Sequence, residues 1–351
     1  MRQANACEPL AQPVVSQGRK SVRDFATISR LRRTVQAAFA LLCLLSGYRF
    51  WQFYRWAIGQ SNAYVARPPS VEGFLPISAL LGLKRFVITG RWDEVHPAGL
   101  AIFLSALALA LLLRKSFCGW ICPVGFASNI AGRLGRAWHF DRQLPEWLDY
   151  PLLGAKYLIL VFFCYVILWE MDVPRIEAFV YSRYNQVVDA KMLLFFLHPS
   201  LWTLRVLSVL FLLSLVVRNF WCRYLCPYGA LLGLGALLGP VQVRRDASLC
   251  LHCKECERVC PVSIRISRHR IARHPECIGC AECVEACPRS ACLSLKGFTG
   301  KSLPLYAFPI AVVGVFCLFW IVALSTGHWH TVVPLEVFRR LYPEASLVAH
   351  P

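Results

Sequence analysis

Twelve of the 17 cysteines in this 351-residue chain fall into repeated short spacings, and these are the residues best suited to chemistry. CLHCKECERVCP at 250–261 and CIGCAECVEACP at 277–288 both read C-x2-C-x2-C-x3-C-P. Three cysteines on one tight loop can hold three corners of an iron–sulfur cube, and the fourth then ligates the other cluster of a two-cluster module. The pattern assigns Cys250, Cys253, Cys256 and Cys287 to one [4Fe–4S] cluster, and Cys277, Cys280, Cys283 and Cys260 to a second. Zinc sites use two C-x2–4-C pairs rather than two identical four-cysteine runs ending in proline. A module this small has no obvious substrate pocket, so the expectation is a wire for single electrons rather than a catalytic centre.

A second pattern is C-x3-C-P, occurring as Cys118, Cys122, Pro123 and as Cys222, Cys226, Pro227. It belongs to a longer repeat, RKSFCGWICPVG at 114–125 and RNFWCRYLCPYG at 218–229, each after an apolar run. On a helix, residues i and i+4 share a face. Arg114 and Arg218, four residues upstream, are expected to lower the nearby thiol pKa values. Three readings stay open for these four cysteines. They could jointly hold a third metal centre, most simply another iron–sulfur cluster; each pair could be a redox-active dithiol; or all four could be small packing residues at helix ends. Cys7, Cys43, Cys164, Cys292 and Cys317 have no spacing partner, and the three lying within apolar runs, Cys43, Cys164 and Cys317, read as fillers.

The elements that must position these cysteines are apolar. The chain is 57% hydrophobic and 17% charged, where soluble domains carry about 25% charged residues. Its mean hydropathy is +0.49. The expected fold is a mainly α-helical integral membrane protein of about five transmembrane helices with an inserted α+β dicluster bacterial-type ferredoxin module. The apolar runs lie near 34–54, 97–113, 152–170, 201–217 and 303–324, while 71–90 and 173–197 read as interfacial helices on the far side. The division is a basic cytoplasmic arm (1–33), a membrane domain with both C-x3-C-P repeats (34–240), the ferredoxin domain (241–300), a final transmembrane helix (301–325) and a periplasmic tail (326–351). The long basic arm and the lack of a clear small-residue cleavage site favour an uncleaved anchor over a signal peptide. With the N-terminus inside, the inner segments carry 25 Lys and Arg and the outer segments nine, which places the ferredoxin module in the cytoplasm and the C-terminus outside.

The net charge of +18 invites a nucleic-acid reading, but no recognition motif of that kind is present. Arg244, Arg245, Arg265, Arg268, Arg270 and Arg273 flank the clusters, where they suit anionic headgroups or an acidic soluble electron carrier equally well. No histidine lies mid-span, which argues against a bis-His haem. His96, His198, His328 and His330 read as capping or interfacial residues, with His96 and Asp93 as the alternative core of a quinol site passing protons outward. Neither G-x-G-x-x-G after a strand nor a P-loop occurs, which argues against a built-in flavin or NAD domain.

Paired C-x3-C-P motifs after apolar spans, followed by two C-x2-C-x2-C-x3-C-P runs, resemble the membrane polyferredoxins of the NapH and NosR type, as does RPPSVEGFLPISALLGLKRFVITGRWDEVHPAG at 67–99. The resemblance runs over roughly 30–325. It implies membrane-bound electron transfer, often between the quinone pool and a periplasmic reductase or its maturation, in a bacterial inner membrane. Carried over, the ligands are the eight ferredoxin cysteines, with Cys118, Cys122, Cys222 and Cys226 as the C-x3-C-P set. The flavin-binding domain of NosR-type proteins and the C-terminal periplasmic domain of oxidase-assembly relatives are both missing from this pattern, so the short NapH-like form fits best. Two rivals to an electron carrier remain: a cupric or quinone reductase working through the C-x3-C-P thiols, and a redox-sensing maturation or regulatory protein.

Overall fold

A computed structural model describes residues 27–289, 291–297 and 300–350. The first helix, α1 (Thr27–Ala57), begins inside the segment expected to be a free arm. The reason is electrostatic. The Glu285 carboxylate, from the ferredoxin module, accepts the N–H groups of Ile28 (2.7 Å) and Ser29 (3.3 Å), satisfying donors that a helix start leaves open. Arg32 then pairs with Glu282 at 2.7 Å. Residues 27–33 are therefore docked helix; 1–26, with Cys7, lie outside the described residues.

Proline opens α2 (Pro76–Thr89), α3 (Pro97–Leu113), α4 (Pro123–Ala137) and α9 (Pro227–Leu238), where its missing N–H costs nothing. Between these lie α5 (Glu146–Cys164), α6 (Val173–Val180), α7 (Arg183–Leu197) and α8 (Leu201–Val216). A π-helical turn extends α5 to Glu170. Among the described residues, two helices are long and apolar enough to cross a membrane, Glu146–Glu170 and α12 (Ala307–Ser325); α7 and α8, bent by 76° at His198–Ser200, make a third if taken as one span. The apolar α3, of 17 residues, and α8, of 16, fall short of the roughly 20 residues that a perpendicular crossing needs. Both hand the chain to a tight turn that carries the C-x3-C-P cysteines.

The module that follows is built on a two-stranded antiparallel sheet, β1 (Gln242–Arg245) and β2 (Leu293–Lys296), paired from Gln242 with Lys296 to Arg245 with Leu293. Single-turn helices α10 (Glu255–Arg258) and α11 (Glu282–Glu285) sit inside the two cysteine motifs. One apolar core joins this module to the long helices: Ala106, Leu109 and Ala110 of α3, then Trp120, then Val243, Ile264, Ile278, Leu293 and Leu295, then Phe308 and Val312 of α12.

At the opposite end, α2, α7 and the short α13 (Leu335–Leu341) enclose a buried polar network. Arg67 bonds Glu72 and Asp189, each at 2.7 Å, and the Tyr342 hydroxyl donates to Asp189 at 2.9 Å. Glu72 also accepts the N–H of Gly99 at 3.1 Å, which ties the start of α3 to this network. Replacing Arg67 by Met leaves two buried carboxylates without their cation. It is expected to lower stability by about 3–5 kcal/mol, read as the thermal unfolding midpoint of the detergent-solubilised chain; an unchanged midpoint would show that the carboxylates need no cation.

Candidate functional site

The two cysteine loops repeat one backbone course. His252 and Lys254 in the first, and Gly279 and Ala281 in the second, occupy equivalent positions, all with φ between 50° and 61°. The course turns main-chain N–H groups toward sulfur, so His252 donates to Cys250 and Glu282 to Cys280. Cys250, Cys253, Cys256 and Cys287 line one cavity together with Arg245 and Cys292. Cys283 lies within electrostatic reach of Cys280, Cys260, Cys277 and Cys256. The fourth cysteine of each motif thus stands with the first three of the other. The thiols ring cavities rather than converge on a point: among the described residues, no three His, Cys, Asp or Glu side chains could hold a single metal ion. A cluster with several iron corners suits that spacing better than one tetrahedral zinc does.

The two sets differ in exposure. Cys253 is exposed, while Cys260, Cys280 and Cys283 are buried. The His252 N–H holds the Cys250 thiol below its ordinary value, whereas burial pushes Cys280 and Cys283 well above theirs.

The duplicated C-x3-C-P segments grip the buried set from two sides. In the first, Arg114 donates to the carbonyls of Ala236 (2.9 Å) and His274 (2.6 Å), and the Trp120 indole N–H donates to Gly279 at 3.1 Å. In the second, Arg218 donates to the Cys260 carbonyl (2.8 Å), Asn219 to that of Pro261 (2.7 Å), and Arg223 to that of Val262. Asp141 balances Arg218, and Asp149 balances Arg223 at 2.7 Å. The expectation that Arg114 and Arg218 acidify their neighbouring thiols is thereby corrected. Both guanidinium groups face carbonyl oxygens, and burial raises the thiols of Cys118, Cys122 and Cys222.

Each C-x3-C pair sits on a single π-helical turn, closed by Cys122 N–H to Phe117 and by Cys226 N–H to Trp221, both at 3.0 Å. All four cysteines come within electrostatic reach of one another. Cys118 and Cys222 line a shared cavity with Lys115, Asn129, Asn219, Arg223 and Glu276. Glu276, immediately before Cys277, is held between Lys115 (3.0 Å) and Lys156 of α5, all three nearly or fully buried. Sequence reasoning missed this triad because its members come from three separate segments. It also set Cys292 aside, since no repeat carries it; its five-residue distance from Cys287 was the available signal. The unpaired Cys43, Cys164 and Cys317 are half-buried rather than enclosed.

Asp93 and His96 are fully enclosed. Asp93 accepts the N–H groups of Val95 and His96, each at 2.9 Å, which shapes the entry to α3. The His96 Nε2 lies 2.7 Å from the carbonyl of Asn185. Both are buried, and His96 stands 3.7 Å from Glu72 of the Arg67 network.

The family model described as a 4Fe-4S binding domain matches residues 95–141 and 200–244, which are the two C-x3-C-P units, and the 4Fe-4S dicluster domain matches 242–288. The chain is 37% identical to a putative electron transport protein, YccM, of Escherichia coli, over 97% of each chain. It is 32% identical to protein NirI of Paracoccus denitrificans over 55% of this chain and 28% of that one. It is 27% identical to the ferredoxin-type protein NapH of Escherichia coli over 46% of this chain and 52% of that one. No solved structure matches.

The C-x3-C-P turn packs tightly on the ferredoxin loop at Gly119, where an added Cβ would stand 2.5 Å from the Ile278 carbonyl oxygen. That oxygen is backbone and cannot yield. Gly119→Ala is expected to cost about 1–3 kcal/mol through overpacking, whereas Gly154→Ala, with nothing within 4 Å, is expected to be neutral. Thermal unfolding of both variants checks the contrast.

Proposed function

Because this chain belongs to the NapH/NosR-type family of 4Fe–4S ferredoxin-type electron-transport proteins, we propose that it is a membrane-bound carrier of single electrons, working between a cytoplasmic donor or the quinone pool and a membrane or periplasmic redox partner. The observation that supports this most is the crossed grouping of the motif cysteines, with Cys287 beside the first loop's cavity and Cys260 beside the second loop's thiols. In this reading Cys250, Cys253, Cys256 and Cys287 hold one [4Fe–4S] cluster, and Cys277, Cys280, Cys283 and Cys260 hold the other. The clusters supply one-electron redox chemistry when bound. The protein's part is to hold them, exclude water from the buried set and balance charge.

We place α1, α3, α5, α8 and α12 across the bilayer. The Lys and Arg asymmetry puts the N-terminus and the ferredoxin module (241–300) in the cytoplasm and the 326–351 tail outside. The short α3 and α8 are compatible with crossing because the C-x3-C-P turns continue each toward the inner face under cover of protein.

For Cys118, Cys122, Cys222 and Cys226 we favour a third iron–sulfur centre over separate dithiols. Glu276 lies between two buried lysines, and Arg223 is matched by Asp149, so the cavity carries an excess positive charge. A buried charge calls for a partner, and four thiolates holding iron would supply an anionic one. The match of a 4Fe-4S binding domain to these same segments agrees.

The test is an anoxic, EPR-monitored redox titration of the purified protein with spins counted per chain. Two signals are expected from the ferredoxin cysteines, one of them lost in Cys253→Ser, plus a third lost in both Cys118→Ser and Cys222→Ser. Iron–sulfur potentials span roughly −700 to +450 mV, so the midpoints also indicate direction: values far below the quinone couple mean supply from a cytoplasmic donor, and values near it admit quinol. Metal-ion reduction abolished by Cys118→Ser with both ferredoxin signals intact would favour a reductase instead.

A further inference from the structure

The exposed cluster site holds a fifth cysteine that no motif accounts for. Cys292 is buried (3% exposed) and lines the same cavity as Cys250, Cys253, Cys256 and Cys287. Its thiol shares that cavity with the sulfurs of Cys250 and Cys287 and lies within electrostatic reach of both. Its position is fixed by the sheet: the pairing of Arg245 with Leu293 sets Cys292 beside the end of β1, and the Asp246 N–H donates to the Cys292 carbonyl at 2.8 Å. Its S–H donates to the Asp246 carbonyl, at 3.5 Å.

Arg245 is an independent observation at the same sulfur. Its side chain lines the same cavity as Cys250, its Nε donates to the His269 carbonyl at 3.2 Å, and its buried Nη1 has no hydrogen-bond partner in the protein. An orphaned guanidinium N–H at a cluster ligand is costly unless it meets negative charge there.

We propose that Cys292 and Arg245 serve as second donors to the ligand sulfurs Cys250 and Cys287, raising the reduction potential of the exposed cluster above that of the buried one. This rests on the two-cluster reading above. Adding one electron from a redox partner increases the negative charge on the ligand sulfurs, and no bond to iron is made or broken. A donor to sulfur therefore stabilises the reduced form more than the oxidised form. A neutral carbonyl 3.5 Å away is a weak competitor for the Cys292 proton once anionic sulfur is beside it.

The buried set has only main-chain donors at these sulfurs. Cys260 accepts from the N–H groups of Ile264, at 3.4 Å, and Val262, and Cys280 from that of Glu282, whose carboxylate is paired with Arg32. Burial disfavours the extra electron there. The two donors thus give the chain a built-in bias, with the electron resting on the cluster nearest the surface, where Cys253 is exposed.

The experiment uses the loaded full-length protein in detergent, titrated anoxically with EPR detection. The signal lost in Cys253→Ser identifies the exposed cluster. Cys292→Ala is expected to shift that cluster's reduced-to-oxidised ratio about tenfold toward oxidised at fixed potential, about 59 mV for one electron, and to leave the other cluster unmoved. Cys292→Ser, which keeps a donor, restores most of the shift, and Arg245→Gln moves the same midpoint downward with every cysteine in place. Unchanged midpoints in Cys292→Ala and Arg245→Gln, with two ferredoxin spins per chain, overturn the proposal. So does loss of the signal in both Cys292 variants, which would make Cys292 a ligand. Fewer than two such spins in the unmodified protein would overturn the two-cluster reading instead.

Discussion

The structure depends on buried cations meeting backbone carbonyl oxygens. Arg114, Arg218 and Arg223 leave the ends of apolar segments and reach main-chain oxygens of the cysteine loops. A charge in so dry a place is costly unless paired or hydrogen bonded; Asp141 and Asp149 balance two of these groups, and the carbonyls of Ala236, Ala272 and His274 accept from the Nη groups of Arg114, whose Nε has no protein partner. The loops of an iron–sulfur module have few regular hydrogen bonds of their own, so their free carbonyls need donors. Each partner corrects the other's deficit. The outcome is directional, because the carbonyls taken belong to the segments around Cys260 and Cys277–Cys280 and not to those around Cys250 and Cys253.

Chain duplication makes this clamp two-sided. The units at 114–125 and 218–229 share a turn geometry and a proline-started helix, yet they meet non-equivalent targets. The first unit meets the second cysteine motif, and the second unit meets the end of the first motif. Divergence within the repeat follows from that difference. Lys115 reaches Glu276, while its counterpart Asn219 donates to the Pro261 carbonyl. A repeat that clasps a pseudo-symmetric module must break its own symmetry at the contacts, and it does so one residue after each arginine.

The cysteine motifs were legible in the sequence because ligand spacing is a local property of a tight loop. Helical segments were legible for a similar reason, since proline starts and apolar runs are local. What could not be read arises between segments. Cys292 carries no repeat signal and owes its place to the register of β1 with β2. The Lys115–Glu276–Lys156 triad joins a turn, a loop and a helix. The role of the upstream arginines was misjudged because sequence distance to a thiol says nothing about a closer carbonyl. His96 reads in the sequence as a capping or interfacial residue, and it stands at the N-cap of α3, where Asp93 accepts the N–H groups of Val95 and His96. The number of spans was harder to read: α3 coincides with its apolar run and α8 ends one residue short of its own, but at 17 and 16 residues both are shorter than the roughly 20 that a perpendicular crossing needs.

The cap on α1 bears on how the protein is made. The opening N–H groups of α1 are satisfied by Glu285, a residue 257 positions later. Until that residue has been synthesised, these donors have no carboxylate to meet. The start of α1 is thus completed by one of the last segments of the chain to be made.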